Sequence, residues 1–458
     1  MVAAWGHTMS MNWVCSTSTR TTCSRQRVCR ATTLTSSPMS SASCPSLSAA
    51  AAVPSSSPRR CAVLGAGFAG LSVAWHLLSN SPKQEKLHVD IFDESGIGAG
   101  ASGVSGGLIH PYSPKLKLLW RAEECWSECL NLIKVAECAP HFGSDAHHFI
   151  VRRTGILRPA VHEKNLDVMK IYCVWQQNAL NCLSSCRIKT IDGVAARELV
   201  PNLCTPLNTA FFMPEAVNVN PQTYLQALYL ACRNLVTTVN STGCQSKSII
   251  LHKKFVASLR DLEGEYDAVI VCLGAKVDML PELSGILPIR RCRGIVALLQ
   301  LNDVLCEEYP QHSPSILSDV WFAVQGPRSL CLGSTWEWGS KNFSSSVSLE
   351  EASTTLRDIL PKACMVYPQI AKWTLTGARA GVRAMSPLTP DGSFPLLGCI
   401  DDLVGGSSSF KVWLIGGLGS RGLLYHGWLG KLTARAALSC REDIFPPELT
   451  SWRKMKRK

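Results

Sequence analysis

The stretch RRCAVLGAGFAGLSVAWHLLSN, with KLHVDIFDES shortly after it, limits the fold of this chain more than any other feature. A short apolar run reads as a buried strand, a glycine turn follows, and a helix leads out of the turn. Gly65, Gly67 and Gly70 have the GxGxxG spacing, with Phe68 and Ala69 between the last two. Glycines so placed let the backbone approach a pyrophosphate at a helix N-terminus, where free N–H groups and the helix dipole favour an anion. The second strand ends in Asp93 and Glu94, and Asp93 lies 23 residues past Gly70, near the spacing of the acid that binds ribose hydroxyls. Such an acid favours an unphosphorylated ribose, hence NAD or FAD over NADP.

The next segment, GIGAGASGVSGGLIHPY, is dense in glycine and carries no charge. Glycine loses more freedom on folding than any other residue, so the run is either a flexible linker or a backbone that lies close to a large flat ligand. Apolar residues on both sides favour the second. A charged helix, KLKLLWRAEECWSECLNLI, is expected to follow.

GAGASGVSGGLIHPY resembles the second flavin-binding segment of the D-amino-acid-oxidase superfamily of FAD enzymes, particularly its tRNA-modifying oxidase modules and glycine oxidases. The resemblance implies that Ala101, Ser102 and Gly103 contact the FAD pyrophosphate region and that Gly107 and Leu108 lie beside the isoalloxazine ring. FFMPEAVNVNPQTYLQALYLACRNL is similar to the segment where the family's chain returns to the FAD domain. EYDAVIVCLGAKV is similar to a strand whose glycine, here Gly274, passes close to the cofactor. GARAGVRAMSPLTPDGSFPLLG and FKVWLIGGLGSRGLLYHGWLG carry the resemblance further. They imply that Gly417, Gly419, Ser420, Gly422 and Leu423 face the pyrimidine end of the flavin. Arg383 and Arg421 fall at positions that line the family's substrate pocket, where a guanidinium fork can bind a carboxylate.

Two departures matter. Relatives of the sarcosine-oxidase type attach the flavin through a cysteine near a position where this chain has Arg383–Ala384, so FAD is expected to bind non-covalently, although Cys399 is nearby in sequence. The methyltransferase module of the bifunctional tRNA enzymes is not expected here.

The chain has 458 residues, 46% of them hydrophobic and 17% charged, a globular composition. No run of about 18 apolar residues predicts a membrane span. The net charge of +12 is concentrated at the ends, where six arginines in the first sixty residues and five basic residues in the last six leave about +1 for the middle. A basic surface for tRNA is therefore weakly supported. Residues 1–59, rich in Ser, Thr, Ala and Arg without an acid, read as a disordered transit peptide, with the plastid favoured over the mitochondrion. Four of the 21 cysteines lie in that leader, and the other seventeen read as reduced, buried, small hydrophobes. No zinc spacing occurs and no metal is expected.

The expected fold is a discontinuous Rossmann-like α/β FAD-binding domain with an α+β, antiparallel-sheet substrate domain. The FAD domain is expected from 60–112, 213–285 and 376–445, the substrate domain from 113–212 and 286–375, and a basic tail from 446–458. The resemblance implies oxidation of a C–N bond in a small amine, amino acid or N-substituted glycine. Hydride would pass to flavin N5, the imine would hydrolyse, and O2 or another acceptor would reoxidise the flavin. The alternatives are an NAD(H)-dependent dehydrogenase and a non-catalytic, FAD-stabilised binding or assembly protein.

Overall fold

The computed structural model describes residues 57–139, 149–178, 185–241, 247–302, 308–389, 392–405 and 410–455, with backbone alone at 175–178. The transit-peptide expectation, but for its last residues, and three of the seventeen cysteines read as buried, Cys182, Cys244 and Cys306, lie outside them.

The apolar run CAVL puts four fully buried residues in strand β1 (Arg59–Leu64). Buried on both faces, it forms the centre of a parallel sheet. Helix α1 (Phe68–Asn80) and strand β2 (Leu87–Phe92) follow. The sheet has six strands, in the order Leu396–Cys399, Lys411–Gly416, Ala268–Val271, β1, β2, Lys247–His252. All neighbours are parallel except the edge strand Leu396–Cys399, which runs antiparallel. On one face α1 packs with the helices Ala122–Glu137, Pro221–Ser241 and Gly422–Ser439.

A nine-stranded sheet forms the second layer. Its spine is the antiparallel pair Arg290–Leu301 and Trp373–Met385, in register over twelve residues with one irregularity at Leu298/Leu299. The sheet is antiparallel apart from one parallel pair, Ser315–Leu317 with Ile156–Pro159. A small three-stranded sheet, Leu108–Ile109, Val217–Val219 and Val151–Arg152, lies between the glycine-rich segment and the second layer.

Several expectations need correction. The expected boundary at 376 cuts the Trp373–Met385 strand, whose last ten residues belong to the nine-stranded sheet; the chain rejoins the six-stranded sheet only at Leu396. The boundary at 213 likewise cuts the strand Thr209–Met213. The charged helix begins at Ala122, because Leu116 and Arg121 adopt positive φ and break its first turns. Part of the tail is docked: Trp452 is buried and its indole N–H donates to the Leu397 carbonyl. Cys138, Cys204 and Cys440 are exposed, contrary to the reading of the cysteines as buried.

Candidate functional site

A cavity of about 710 Å³ lies between the two large sheets, within the ~300–1,000 Å³ typical of small-molecule and cofactor sites. One end is built from backbone. β1 ends at Gly65, whose φ of +108° turns the chain into α1. A Cβ on Gly65 would lie 2.6 Å from the Cys272 carbonyl oxygen, and one on Gly70 would lie 1.9 Å from the Gly65 carbonyl oxygen. Both glycines are thus demanded by the protein's own turn. Gly70 does not border the cavity, and neither does Gly103, whose Cβ would meet the Gly98 carbonyl oxygen at 2.2 Å. Both are packed against their own chain.

Gly65, Gly67, Phe68 and Ala69 do line the cavity. α1 starts there with no side-chain cap at Gly67 and no acid in its first turn, so the positive end of the helix is not neutralised from within. Ser102 closes this wall, its hydroxyl accepting from the Phe68 N–H at 3.1 Å. Ala101, Ser102, Gly107 and Leu108 also line the cavity, as do Gly274, Gly417, Gly419, Ser420, Gly422 and Leu423. Space for a Cβ is open at Gly100 and Gly274. Gly107, by contrast, is held at φ +75° with a Cβ position 1.8 Å from the Val219 carbonyl oxygen. These open glycines, the uncapped helix and the cavity volume fit a dinucleotide whose pyrophosphate meets the α1 N-terminus.

Asp93 sits at the end of β2 as expected, but its carboxylate is largely used. Oδ2 accepts from the Ala66 N–H at 2.9 Å, and Oδ1 accepts from the N–H groups of Ser95 and Gly96 at 3.0 and 2.9 Å. It braces the turn and keeps lone-pair capacity on Oδ2 for a hydroxyl donor. Glu94 is exposed and pairs with Lys276 at 3.3 Å.

The other end is built from side chains and is basic. Arg383 projects from the Trp373–Met385 strand, stacks on Trp336 with 4.5 Å from its guanidinium carbon to the ring centroid, and donates to the Ser334 hydroxyl at 2.6 Å and the Thr335 carbonyl at 3.4 Å. Part of its fork is thereby spent on the protein. Arg421, in the turn before the Gly422–Ser439 helix, has no hydrogen bond or ion pair from its guanidinium among the described residues. Burial lowers the pKa of both arginines from the ordinary value.

Three cavity residues escaped the sequence reading. Arg158 lies in the Ile156–Pro159 strand; burial, and then the charge of Arg421, push its pKa down to about 10. His110 is buried, and desolvation followed by the charges of Arg421 and Arg158 keeps its pKa well below the ordinary value. Its Nδ1 accepts from the Tyr112 N–H at 3.3 Å, placing the proton of the neutral ring on Nε2. Trp321 spans the clefts left by Gly106 and Gly333, where added Cβ atoms would lie 2.6 and 2.3 Å from its ring. An arginine interrupting the apolar ILRP was the available signal for Arg158. No sequence pattern announces the other two.

A parallel sheet with this glycine turn, a bracing acid after β2 and an apposed antiparallel sheet define a dinucleotide-binding protein with a second layer over the cofactor cleft. The chain matches the DAO family of FAD dependent oxidoreductases over residues 60–436, and it belongs to that family. It is 22% identical to a putative thiamine biosynthesis oxidoreductase, ThiO, of Rhizobium etli over 343 residues, 72% of this chain and 85% of that protein. It is 25% identical over 364 residues to the tRNA 5-methylaminomethyl-2-thiouridine biosynthesis bifunctional protein MnmC of Hydrogenovibrio crunogenus, covering 76% of this chain and 48% of that protein. The fold is similar to that of glycine oxidase from Geobacillus kaustophilus, with a TM-score of 0.64, 17% identity, and coverage of 86% of this chain and 98% of that one. L-proline dehydrogenase from P. horikoshii gives a TM-score of 0.64 at 15% identity, over 87% and 98% of the two chains. The protein is therefore an FAD-dependent enzyme, which replaces the nicotinamide and non-catalytic alternatives.

Proposed function

We propose that this enzyme oxidises a C–N bond of a small amino acid or N-substituted glycine, with the substrate carboxylate held at the basic end of the cavity. The observation that carries the reading is the set of cavity-lining guanidiniums with no carboxylate within 4 Å among the described residues, while the far end carries Asp93 and Glu94. Bound FAD supplies the electron acceptance, and O2 or another acceptor takes the electrons onward. The N-terminal end of α1 and the Ser102 wall would hold the pyrophosphate, and Asp93 Oδ2 would accept from a ribose hydroxyl. Arg421 offers a free fork to the substrate carboxylate, and Arg383, fixed by Trp336 and Ser334, offers its remaining N–H groups. Neutral His110 adds no positive charge to this end.

Non-covalent attachment is supported by the cysteines. Cys399 does not line the cavity, burial raises its thiol to about 11, and its own N–H donates to Glu442; Cys272, which does line it, is buried and its thiol is pushed up by that burial. Acid precipitation is expected to release all the flavin into solution. A small amine is favoured over tRNA because the charge between the basic ends is close to neutral. For residues 1–59 we infer plastid import, with the mitochondrion as the alternative, tested by fusing them to a fluorescent reporter.

The experiment for the site is Arg383→Lys and Arg383→Ala, each followed by anaerobic flavin reduction. Lysine keeps the charge and loses the fork. The rate at low substrate should fall roughly 10- to 150-fold for carboxylated substrates, equivalent to about 1.5–3 kcal/mol, with flavin content unchanged. Variants that are reduced as fast as the parent by its best carboxylated substrate would refute the clamp.

A further inference from the structure

Two arginines of the nine-stranded sheet have opposite surroundings. Arg293 is 1% exposed and its charge is answered by two carboxylates: Glu351 lies 2.6 Å from its guanidinium and Glu337 3.6 Å, although its Nε has no hydrogen-bond partner among the described residues. This is how a buried structural arginine is normally accommodated. Arg158 is not. Among the described residues its guanidinium has no ion pair within 4 Å and no hydrogen bond. It borders the cavity from the Ile156–Pro159 strand. Alternation along that strand sends Leu157 into the second sheet's own core and puts Arg158 on the face of Ile156, which belongs to the core of the FAD side. Asp319, which also borders the cavity, is engaged by His162 at 2.8 Å. Its charge favours the protonated form of Arg158, while Arg421 opposes it.

The basic end therefore holds three guanidiniums, Arg158, Arg383 and Arg421, where one amino-acid carboxylate needs one or two. Like charges gathered in a partly desolvated cavity destabilise one another unless anions answer them. We propose that Arg158 is a specificity-determining residue and that the preferred substrate is an amine bearing a second carboxylate, bound at Arg158 while Arg421 and Arg383 take the carboxylate next to the oxidised carbon. This rests on the reading of the basic end as the substrate end. It goes beyond that reading by assigning the substrate two acidic groups and naming the residue that selects the second.

The test is a binding measurement that needs no turnover. The flavin-loaded protein is titrated with the non-reacting acids acetate, propionate, malonate and succinate, and the visible flavin spectrum is followed at constant ionic strength. The parent is expected to bind the better dicarboxylate at least about tenfold tighter than the monocarboxylate of similar length. In Arg158→Gln that ratio should collapse to within about threefold, and Arg158→Lys should recover part of it. A parent that does not distinguish mono- from dicarboxylates overturns the proposal without any variant, as does a preference that survives Arg158→Gln. Dicarboxylate preference in a protein whose flavin no amine reduces would sustain the Arg158 assignment and reject the amine-oxidation reading instead.

Discussion

The two ends of the cavity are made of different material. At the end that receives the dinucleotide, walls are main chain: turns at Gly65 and Gly274, an uncapped helix, and an aspartate spent on three backbone N–H groups. At the other end, walls are side chains: Arg158, Arg383, Arg421, His110 and two tryptophans. A main-chain wall tolerates few sequences, because a single Cβ can collide with backbone that cannot move. A side-chain wall can be rebuilt residue by residue without disturbing the fold. On the proposed reading, the first end carries the family's cofactor and the second sets the selectivity for substrate.

The largest expected effect comes from forcing a Cβ into the turn that shapes the first end. Gly70→Ala places one 1.9 Å from the Gly65 carbonyl oxygen, so α1 cannot pack on β1. The loss should exceed about 4 kcal/mol and leave no soluble, flavin-loaded protein. Gly100→Ala meets open space and should keep its melting temperature within a few degrees, any deficit appearing in flavin content. If both variants melt alike, the rigid-wall account fails.

Acid should weaken the fold behind both ends, through His426 against α1 and His76 within it, and through His110 at the basic end. His426 is buried against α1, its Nδ1–H donating to the Leu423 carbonyl and its Nε2 accepting from the Tyr224 hydroxyl. Burial lowers its pKa to about 4. The folded histidine stays neutral while the unfolded one takes up a proton below about 6.5, so the unfolded state binds more protons and stability falls with falling pH across that window. The integrated loss is about 3 kcal/mol, since each unit of pKa difference corresponds to about 1.4 kcal/mol. His76, also buried, shifts the same way and steepens the fall. Urea unfolding at pH 7, 5.5 and 4.5 measures it, and a flat profile would show that none of these histidines is held neutral.

At the second end the two arginines should differ. Arg421→Gln removes a free fork, whereas Arg383→Gln removes one already shared with Ser334 and Thr335. Flavin reduction by a carboxylated amine should therefore suffer more in the former, toward the upper end of the roughly 10- to 150-fold range, and less in the latter, toward its lower end. Equal losses would mean that both forks contribute alike. The smallest effect is expected at Glu94→Gln, because an exposed ion pair contributes about 0–1 kcal/mol. Flavin affinity should change less than about threefold, and a larger loss would move the ribose contact from Asp93 to Glu94.

The same contrast explains what could be read before the fold was known. GAGFAG and GIGAGASGVSGG announce main-chain geometry, and the turns lie where these glycines place them. Their individual roles were less legible: Gly70 and Gly103 answer to carbonyl oxygens of their own chain, which only the packed turn reveals. Arg383 and Arg421 were singled out because they fall, inside glycine-rich segments that resemble the family, at positions that line its substrate pocket. Arg158 was missed because the charges that face it, Asp319 and Arg421, lie more than 150 residues downstream, and no local pattern records that meeting. The Trp373–Met385 strand was divided at 376 for a related reason. Its family-like sequence GARAGVRAM suggested the FAD domain, while its pairing with Arg290–Leu301 is fixed by a distant partner.

The most direct measurement is anaerobic mixing of the purified, flavin-loaded protein with matched amines that differ only in the carboxylate, such as N-methylglycine against dimethylamine and iminodiacetate against diethylamine. The account predicts that flavin absorbance bleaches with the carboxylated member of each pair and persists with the other. Bleaching that ignores the carboxylate, or that needs a reduced nicotinamide, would contradict it.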